Sequence, residues 1–336
     1  MRVTVLAGGV GGARFLRGLV PVVAEVDNPA VGPTETDFAG EGSLAGQSGF
    51  VGEGNVAIIG NVADDVEILG LHVSPDLDSV LYALAGLGDE GRGWGRADES
   101  WRALATAAEL GGESWFQLGD RDIGLHLVRT QRLREGIPLS EVTAGFVTAY
   151  GLPCSLLPVT DDPLRTFVET PAGTFAFQTW FVARGHRDEV DAVHYAGAPD
   201  ARAAPGVVEV IREADVLVIA PSNPYVSIGP ILAVREVRRA LEERRVPCVA
   251  VSPLVAGRAV KGPADRMLQR LAGGTTPAHV AACYAGLIDA LVFDETDAPA
   301  ELPDGVRPVV ARTLMVDDTA RRRLAHAVVD AAGAPA

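Results

Sequence analysis

The 336-residue sequence contains only three cysteines, Cys154, Cys248 and Cys283, and no pair of them has C-x-x-C spacing. This scarcity excludes a disulfide framework and a cysteine-based zinc site, and it fits a reducing cytosol. No apolar run approaches the roughly 18 residues of a membrane span, and no basic-then-apolar signal segment opens the chain. We therefore expect a cytoplasmic protein with no membrane partner.

Positive charge is also in short supply, since 29 Lys and Arg face 44 Asp and Glu and give a net charge of -15. Nucleic acid and anionic membranes both require a basic surface, so the charge argues against either as a partner. A bound nucleotide must then be held by backbone amides and a few local cations, together with a divalent metal. With 48% apolar residues the chain is globular, and its length is ample for a deep core.

The opening stretch, MRVTVLAGGVGGARF, is the most informative part of the sequence. Residues 3–6 form an apolar run that predicts a strand buried on both faces of a parallel sheet. Four glycines then allow positive φ and close approach of a ligand, and residues 13–20 resume as a helix. A strand, a glycine turn and a helix N-terminus form an anion site, because free N–H groups and the helix dipole point at it. The glycines are Gly8, Gly9, Gly11 and Gly12.

The glycine turn matches neither standard nucleotide motif. Gly9-x-Gly11 begins the dinucleotide fingerprint, but Arg14 stands where the third glycine belongs, and no Gly-Lys-Ser/Thr of a P-loop follows. We interpret the turn as a phosphate-binding turn of another type, with Arg14 meeting phosphate oxygens. The alternative is a purely structural glycine-rich turn.

Four carboxylates follow the second predicted strand, residues 56–59: Asp64, Asp65, Asp76 and Asp78. Ligands of open parallel sheets bind beyond the carboxyl ends of the strands, so these side chains lie at the right edge. Carboxylate and phosphate oxygens are the ligands that Mg²⁺ prefers, and beside a phosphate turn they predict a magnesium site. The alternatives are a solvated acidic loop and, for Asp78, a helix cap.

Strands and helices alternate through most of the chain and predict a doubly wound, mainly parallel, Rossmann-like α/β sheet in a single domain over residues 1–336. Residues 27–54 are rich in Gly, Ser, Thr and Pro and are interpreted as a mobile insertion. Residues 98–200 are interpreted as a smaller inserted substrate lobe. Within it, residues 165–181 have a period of two around a Pro-Ala-Gly turn and predict a β-hairpin. The later strands are predicted at residues 216–220, 246–251, 291–293 and 307–311.

Two further polar stretches are candidate sites. The Ser222-Asn223 turn offers hydroxyl and amide groups that read a base edge, before a helix start that takes a phosphate. A proline-stiffened turn without a ligand is the alternative. In the stretch WFQLGDRDIGLH, His126 is interpreted as a hydrogen-bonded core histidine, and helix capping is the alternative role for Asp120.

Six motifs, in this order along essentially the whole chain, resemble the 2-phospho-L-lactate transferase family, called CofD, or FbiA in actinobacteria. They are GGVGGARF, ADD with SPDLDSVLY, WFQLGDRD with a downstream His-x-x-Arg-Thr, DDP before the hairpin, APSNPYVSIGPIL and VSPLVAGRAVKGPA. The resemblance implies a step in making the deazaflavin coenzyme F420. Family enzymes transfer a phospho-lactyl or phospho-enolpyruvyl group from a guanosine diphosphate carrier to the ribityl hydroxyl of Fo. They release GMP and use Mg²⁺, in chemistry that needs charge neutralisation and positioning.

The resemblance also implies roles for the candidate residues, and a homodimer. Metal ligands are Asp64, Asp65 and Asp76, and the catalytic pair is Asp65 and Asp78. Fo contacts are Asp78, Gln117, Asp120 and Arg121, with Trp94, Trp115 or Trp180 stacking on the deazaflavin ring. The diphosphate is held by Gly8, Gly9, Gly11, Gly12 and Arg14, and the guanosine end by Ser222, Asn223, Ser227 and Gly229.

Two other functions remain open at this point. A non-catalytic nucleotide-sugar-binding regulator, similar to the gluconeogenesis-factor relatives, shares the glycine-rich opening, but the SPDLD and LGDRD motifs favour the transferase. An NAD(P)-dependent oxidoreductase is disfavoured by the missing third glycine. No motif selects among lactate, enolpyruvate and glycerate as the three-carbon unit, and an actinobacterial type would favour phosphoenolpyruvate.

Overall fold

The computed structural model describes residues 1–27 and 55–333. The predicted insertion at residues 27–54 therefore lies outside the described residues, apart from Asp27 at the end of the first helix. The strands of the described part are β1 (Val3–Ala7), β2 (Val56–Gly60), β3 (Val66–Ile68), β4 (Leu71–Val73), β5 (Ser155–Pro158), β6 (Arg165–Thr170), β7 (Gly173–Ala176), β8 (Ala192–Ala196), β9 (Val216–Ile219), β10 (Cys248–Val251), β11 (Leu254–Val255), β12 (Arg258–Ala259), β13 (Ala290–Asp294) and β14 (Arg307–Ala311).

The helices alternate with these strands, and none in the described residues is long and apolar enough to cross a membrane. They are α1 (Gly9–Asp27), α2 (Pro75–Leu84), α3 (Arg102–Glu109), α4 (Asp120–Arg134), α5 (Leu139–Ala149), α6 (Val207–Glu213), α7 (Gly229–Ala233), α8 (Arg235–Glu242), α9 (Ala264–Leu271), α10 (Pro277–Ala282) and α11 (Asp318–Gly333). Two π-helical turns, Thr179–Ala183 and Pro224–Ile228, and a 3₁₀ turn, Glu295–Asp297, complete the list.

The main sheet has seven parallel strands in the order β14-β13-β10-β9-β1-β2-β5. This arrangement confirms the predicted doubly wound α/β fold. Strands β1, β9, β10 and β13 are buried along their whole length, as expected where helices cover both faces. The strand order reverses between β1 and β9, and the crevice at such a switch point is where open α/β sheets bind ligands.

A second, antiparallel sheet has the order β7-β6-β8. The predicted hairpin is present, but its second strand ends at Ala176 rather than at residue 181, because the chain then turns around the buried Trp180 in a π-helical turn. Strand β8 was not predicted. The range 98–200 that the sequence suggests as one lobe contains β5, an edge strand of the main sheet. Helices α3 to α5 and the small sheet are thus separate insertions on either side of β5.

Helix α1 begins at Gly9, four residues before the predicted start at residue 13. Only Gly9 of the four glycines has positive φ, at +65°. The other three positions require glycine because their surroundings leave no room for a Cβ. A Cβ on Gly11 would lie 2.4 Å from the carbonyl oxygen of Pro221, and one on Gly12 would lie 2.7 Å from Oγ of Ser222. The prediction erred because low helix propensity argues against glycine in a first turn, whereas close packing on the segment after β9 demands it.

We predict that Gly11→Ala destabilises the protein by about 1–3 kcal/mol, because backbone must move to admit the methyl group. The matched control is Gly145→Ala in α5, where an added Cβ meets nothing within 4 Å. There the lower backbone entropy of the unfolded chain should stabilise by about 0.4–1 kcal/mol. Urea unfolding of the three proteins checks both signs, and an unchanged midpoint for Gly11→Ala would contradict the close approach.

Candidate functional site

The loops that follow β9, β1 and β2 are joined to one another at the switch point. The hydroxyl of Ser222 donates to the carbonyl oxygen of Gly8 at 2.7 Å and accepts from the Gly8 N–H at 3.4 Å. The amide of Asn61 donates to the carbonyl oxygen of Val226 at 3.2 Å. Three adjacent strand ends therefore form one polar surface, in which the predicted glycine turn and the Ser222-Asn223 turn are neighbours.

The first acidic group at this surface is Asp76, in the first turn of α2. Its carboxylate accepts from Nδ2 of Asn61 at 3.0 Å, and a Cβ on Gly8 would lie 2.6 Å from its Oδ2 and 2.9 Å from Cβ of Ser227. The structure thus brings Gly8, Asp76 and Ser227 together. Burial raises the pKa of Asp76 to about 6, although the Asn61 hydrogen bond opposes the shift.

Asp64 is the second buried acid, only 4% exposed. Burial, and next the charge of Asp76, raise the pKa of this carboxyl well above its ordinary value. Its Oδ1 has no hydrogen-bond partner among the described residues. An unpaired buried carboxylate oxygen is costly, so this atom is a candidate to contact a cation or a donor group of a ligand.

Asp65 has one oxygen occupied and one free. Its Oδ2 accepts from Oγ of Ser74 at 2.8 Å and lies 2.9 Å from Nε2 of His72, whereas its buried Oδ1 has no partner in the part of the chain described. His72 is carried by β4 of the short β3–β4 hairpin, directly after the Asp64-Asp65 turn. The hairpin therefore fixes the orientation of the Asp65 carboxylate.

The three predicted metal ligands do not form a complete metal cage. Among residues 1–27 and 55–333, no three Asp, Glu, His or Cys side chains converge closely enough to hold an ion by themselves. The free oxygens of Asp64 and Asp65 nevertheless fit Mg²⁺, which usually takes one or two carboxylates and completes its shell with phosphate oxygens and water.

Asp78 has a different environment from its neighbours. Helix α2 begins at Pro75 after Ser74, so Asp78 lies inside the first turns and does not cap the helix. Both its oxygens accept from the guanidinium of Arg129, with Nη1 to Oδ2 at 3.1 Å, and Arg129 is fully buried. A carboxylate in a bidentate ion pair with arginine has little capacity left to accept a proton from a substrate.

His126 completes the Asp78–Arg129 cluster. The ring is 2% exposed, and Nδ1 lies 3.2 Å from Nη1 of Arg129 and 3.8 Å from Oδ2 of Asp78. Burial lowers the pKa of His126 to about 4, so the imidazole is neutral at pH 7. The expectation of a hydrogen-bonded core histidine is confirmed.

The LGDRD motif forms a reciprocal pair of helix caps. The Asp120 carboxylate accepts from the N–H groups of Arg102 and Ala103 at the start of α3, at 3.3 and 3.0 Å. The Glu99 carboxylate accepts from the N–H groups of Arg121 and Asp122 at the start of α4. Asp120 therefore caps α3 and not its own helix α4, whose first N–H groups are bound by Glu99. The side chains of Gln117 and Arg121, the other predicted Fo contacts, are exposed.

The Ser222 to Gly229 segment is held from two sides. Oδ1 of Asn223 accepts from the N–H groups of Tyr225 and Val226 and so caps the π-helical turn. The hydroxyl of Tyr195, from β8, donates to the Tyr225 carbonyl oxygen at 2.5 Å, and a Cβ on Gly229 would lie 2.0 Å from that hydroxyl. Gly229 is therefore needed for contact with the small sheet.

The small sheet also fixes the Asp64 loop. Nε2 of Gln178 donates to the carbonyl oxygen of Asp64 at 3.1 Å, and the N–H of Thr166 donates to that of Ala63 at 2.8 Å. The small antiparallel sheet thus holds both the Asp64 loop and the Ser222 to Gly229 segment in place.

Of the three tryptophans considered for stacking, Trp180 is in the core and donates from Nε1 to the Asp188 carbonyl oxygen. Trp115 packs edge-on against Phe116. Trp94 is 41% exposed and lines a cleft that Arg14 also lines.

Sequence reasoning missed three residues that organise the site: Asn61, His72 and Arg129. A signal existed for Asn61, since it directly follows β2 at the carboxyl edge of the sheet. The partners of Asp65 and Asp78 depend on which helix and hairpin pack together, and no local pattern reports that.

Residues 3–332 match the family described as 2-phospho-L-lactate transferase CofD. A phosphoenolpyruvate transferase of Streptomyces griseus is 42% identical over 306 residues, covering 89% of this chain and 87% of its own. A protein with the same description from Mycobacterium bovis is 37% identical over 346 aligned positions and covers 99% of both chains.

Two solved structures of a Bacillus halodurans protein, one described as a member of the UPF0052 family, have the same fold. Their TM-scores are 0.59 and 0.60 at 17% identity, and they cover 98% of this chain and 99% of the other. At this identity the likeness concerns the fold alone.

We predict that His126 makes stability depend on pH. The pKa of His126 is about 4 in the folded protein and 6.5 in the unfolded chain. The contribution of the neutral imidazole to the free energy of unfolding is therefore complete above pH 6.5 and is lost as the pH falls towards 4. Between pH 7 and 5 this loss amounts to about 2 kcal/mol. Urea unfolding of His126→Gln should show that much less change between the two pH values, whereas the exposed His326→Gln should behave as the parent protein. Equal pH dependence in all three would contradict the assignment.

Proposed function

On the premise that the chain belongs to the 2-phospho-L-lactate transferase CofD family and is a transferase, we propose a specific reaction for it. It transfers a phosphoenolpyruvyl or 2-phospho-L-lactyl group from a guanosine diphosphate carrier to the ribityl hydroxyl of the deazaflavin Fo. The products are GMP and a coenzyme F420 precursor. The names of the relatives favour the phosphoenolpyruvyl group. The homodimer implied by the family resemblance stays a prediction.

The observation that carries the proposal is the pairing, at one switch point, of a glycine turn with free carboxylate oxygens. Gly8 and the first turn of α1 approach the loops after β9 and β2 too closely for any side chain. Unpaired oxygens of Asp64 and Asp65 lie in the next loop. A diphosphate would use both features, since backbone N–H groups can bind phosphate oxygens and carboxylates can hold a metal ion that would offset the remaining charge.

Asp64 and Asp65 would hold Mg²⁺, with Asp76 near enough to raise the pKa of Asp64 through its charge. When bound, the ion would neutralise charge that develops on the transferred phosphoryl group. The remaining work falls to the protein. His72 and Ser74 hold the Asp65 carboxylate in place, and Asn61 holds that of Asp76. These contacts position the reacting groups, which is the main requirement of phosphoryl transfer.

The role proposed for Asp78 changes with its contacts. It was expected to touch Fo and act in catalysis, but both its oxygens bind Arg129. We therefore keep Asp65, whose Oδ1 has no partner among the described residues, as the catalytic residue that would hold the metal, and assign to Asp78 the fixing of Arg129 and α4 against α2. Gln117 and Arg121 stay Fo candidates because they are exposed, and Trp94 is the stacking candidate.

Neither alternative function has a specific observation in its favour. Membership of a transferase family argues against a non-catalytic regulator. An NAD(P)-dependent oxidoreductase would need the third glycine of the dinucleotide fingerprint, which this chain lacks. Arg14 stands in its place and lines a cleft, whereas the glycine of the fingerprint makes a close contact between helix and strand.

The reaction is tested by mass spectrometry on purified protein mixed with Fo and each guanylyl donor, with Mg²⁺ and with EDTA. We expect Fo plus the phospho-acid mass, together with GMP, only when Mg²⁺ is present and most rapidly with the phosphoenolpyruvyl donor. Product in EDTA would overturn the metal assignment. No product with any donor would overturn the proposed reaction.

We predict that Asp64→Asn makes the protein more stable and less active at pH 7. Burial already disfavours the charged carboxyl, so the neutral amide removes a cost in the folded state and should raise Tm by about 2 °C or more. Loss of the negative charge on the proposed metal-binding group should lower turnover about 100-fold. The control is Asp330→Asn on the exposed side of α11, with no change in either quantity. Full activity in Asp64→Asn would remove Asp64 from the mechanism.

A further inference from the structure

Lys261 is the only lysine in the sequence, and the other 28 of its 29 Lys and Arg residues are arginine. It lies between β12 and α9. Its Nζ donates to the carbonyl oxygens of Arg92 and Gly93 at 2.9 and 2.8 Å. Those carbonyls belong to the tryptophan loop, defined here as residues 86–101, which follows α2 and carries Trp94 and Trp101.

A second cation meets Lys261 at the same point. A Cβ built on Gly93 would lie 2.5 Å from Nζ of Lys261 and 3.2 Å from Nη2 of Arg14. Two like charges so close repel each other, and burial together with Arg14 lowers the pKa of Lys261. The fold keeps the pair together because the two carbonyls of the tryptophan loop hold the ammonium group.

Neither cation has an acidic partner among the described residues. Lys261 bonds only to carbonyls, and Arg14 makes no hydrogen bond or ion pair there. The neighbouring Arg17, in contrast, pairs with Glu90 and Asp318. In a chain with 44 acidic residues, two adjacent cations without an acidic partner among the described residues form a local positive patch, and such a patch attracts an anion.

Arg14 lines a cleft beside the phosphate turn, and Lys261 adjoins this cleft through its hydrogen bond to Gly93, which also lines it. Val10 and Ala13 of α1 line it, as do Ser79 of α2 and Trp94. The cleft thus runs from the glycine turn to the tryptophan loop. The ring of Trp94 packs edge-on against Trp101 at 6.2 Å, and the Arg92 guanidinium lies 5.1 and 5.0 Å from the two ring centroids.

We propose that Lys261 and Arg14 together bind the phosphate groups of the donor, and that Lys261 ties the tryptophan loop over them. The inference rests on the proposed function for the identity of the donor, although the anion site itself is carried by the two cations. Lysine suits this position because its compact ammonium group has three donors: two bind the loop carbonyls and the third is left for a phosphate oxygen.

The single lysine allows a direct binding test on the unaltered protein. The chain is acylated with a limiting amine-reactive ester, and mass spectrometry of its peptides compares Lys261 with the α-amino group as internal reference. We expect pyrophosphate and GDP, at ten times their Kd, to slow acylation of Lys261 about tenfold but not that of the reference, by mass action. Guanosine should give no protection. Absence of protection by pyrophosphate and GDP, or protection by guanosine alone, would overturn the phosphate contact.

Kinetics of Lys261→Met give the second test. Loss of a contact made in both the ground and transition states raises KM for the donor, by at least about tenfold, more than it lowers kcat. The control is Arg258→Gln, which removes one positive charge three residues away that has no partner in the described chain, and which should leave KM unchanged. Equal KM for Lys261→Met and the parent protein would overturn the proposal.

Two glycines of the tryptophan loop test the link between the loop and the cations. Gly93 and Gly86 have φ of +71° and +67°, so alanine strains both, but only at Gly93 does the new methyl group meet the cations. We expect Gly93→Ala to lose the protection of Lys261 and Gly86→Ala to keep it. Equal protection in both variants would overturn the tie between loop and site.

The outcomes separate this proposal from the proposed reaction. Transfer to Fo without protection of Lys261 would reject the cation pair alone. Protection by pyrophosphate in a protein that transfers nothing to Fo would retain the anion site and reject the reaction.

Discussion

The burial of Asp64 and Asp76 beside each other is the constraint on which the rest of the site depends. Burial raises the pKa of both carboxyl groups, which are 4% and 7% exposed, and the charge of Asp76 raises the pKa of Asp64 further. Few donors offset that cost, since Asn61 binds Asp76 and one oxygen of Asp64 stays unpaired. Such an arrangement is unfavourable in the apo protein and becomes favourable when a cation or a donor group enters. The fold therefore tolerates local instability at the edge where we propose that the ligand binds.

The surrounding structure is rigid enough to keep these two carboxyl groups buried although their burial is unfavourable. The parallel sheet fixes the three strand ends, and the small antiparallel sheet holds the Asp64 loop through Gln178 and the π-helical turn through Tyr195. The glycines matter for the same reason, because they let α1 and the loops after β9 and β2 meet at distances that no side chain allows. A site in which backbone packs on backbone loses little precision to side-chain motion.

Much of the fold was predictable because its signals are local. Apolar runs identified the strands β1, β2, β9, β10, β13 and β14, and the β-hairpin followed from alternation around a turn. Features that arise from distant contacts were not predictable in this way. The start of α1 was placed four residues late, since only the contact between Gly11 and Pro221 explains glycine there. Strand β8 was missed because its alternation is short and its pairing partner lies earlier in the chain.

The candidate site divides along the same line. Residue types and their order identified the acidic cluster and the glycine turn, but they did not show which partner each carboxylate has. Asp78 and Asp64 are equally buried in the same region, yet Asp78 is neutralised by Arg129 whereas no cation within the described residues pairs with Asp64. On the far side of the glycine turn, Arg14 and Lys261 have no acidic partner among the described residues. Carboxylates and cations on either side of one phosphate turn would suit the diphosphate donor that we propose, since a metal held by the carboxylates and the two cations would together offset its charge. In that proposed complex the charge of the ligand would complete both halves of the site, which would explain why the described residues neutralise neither half.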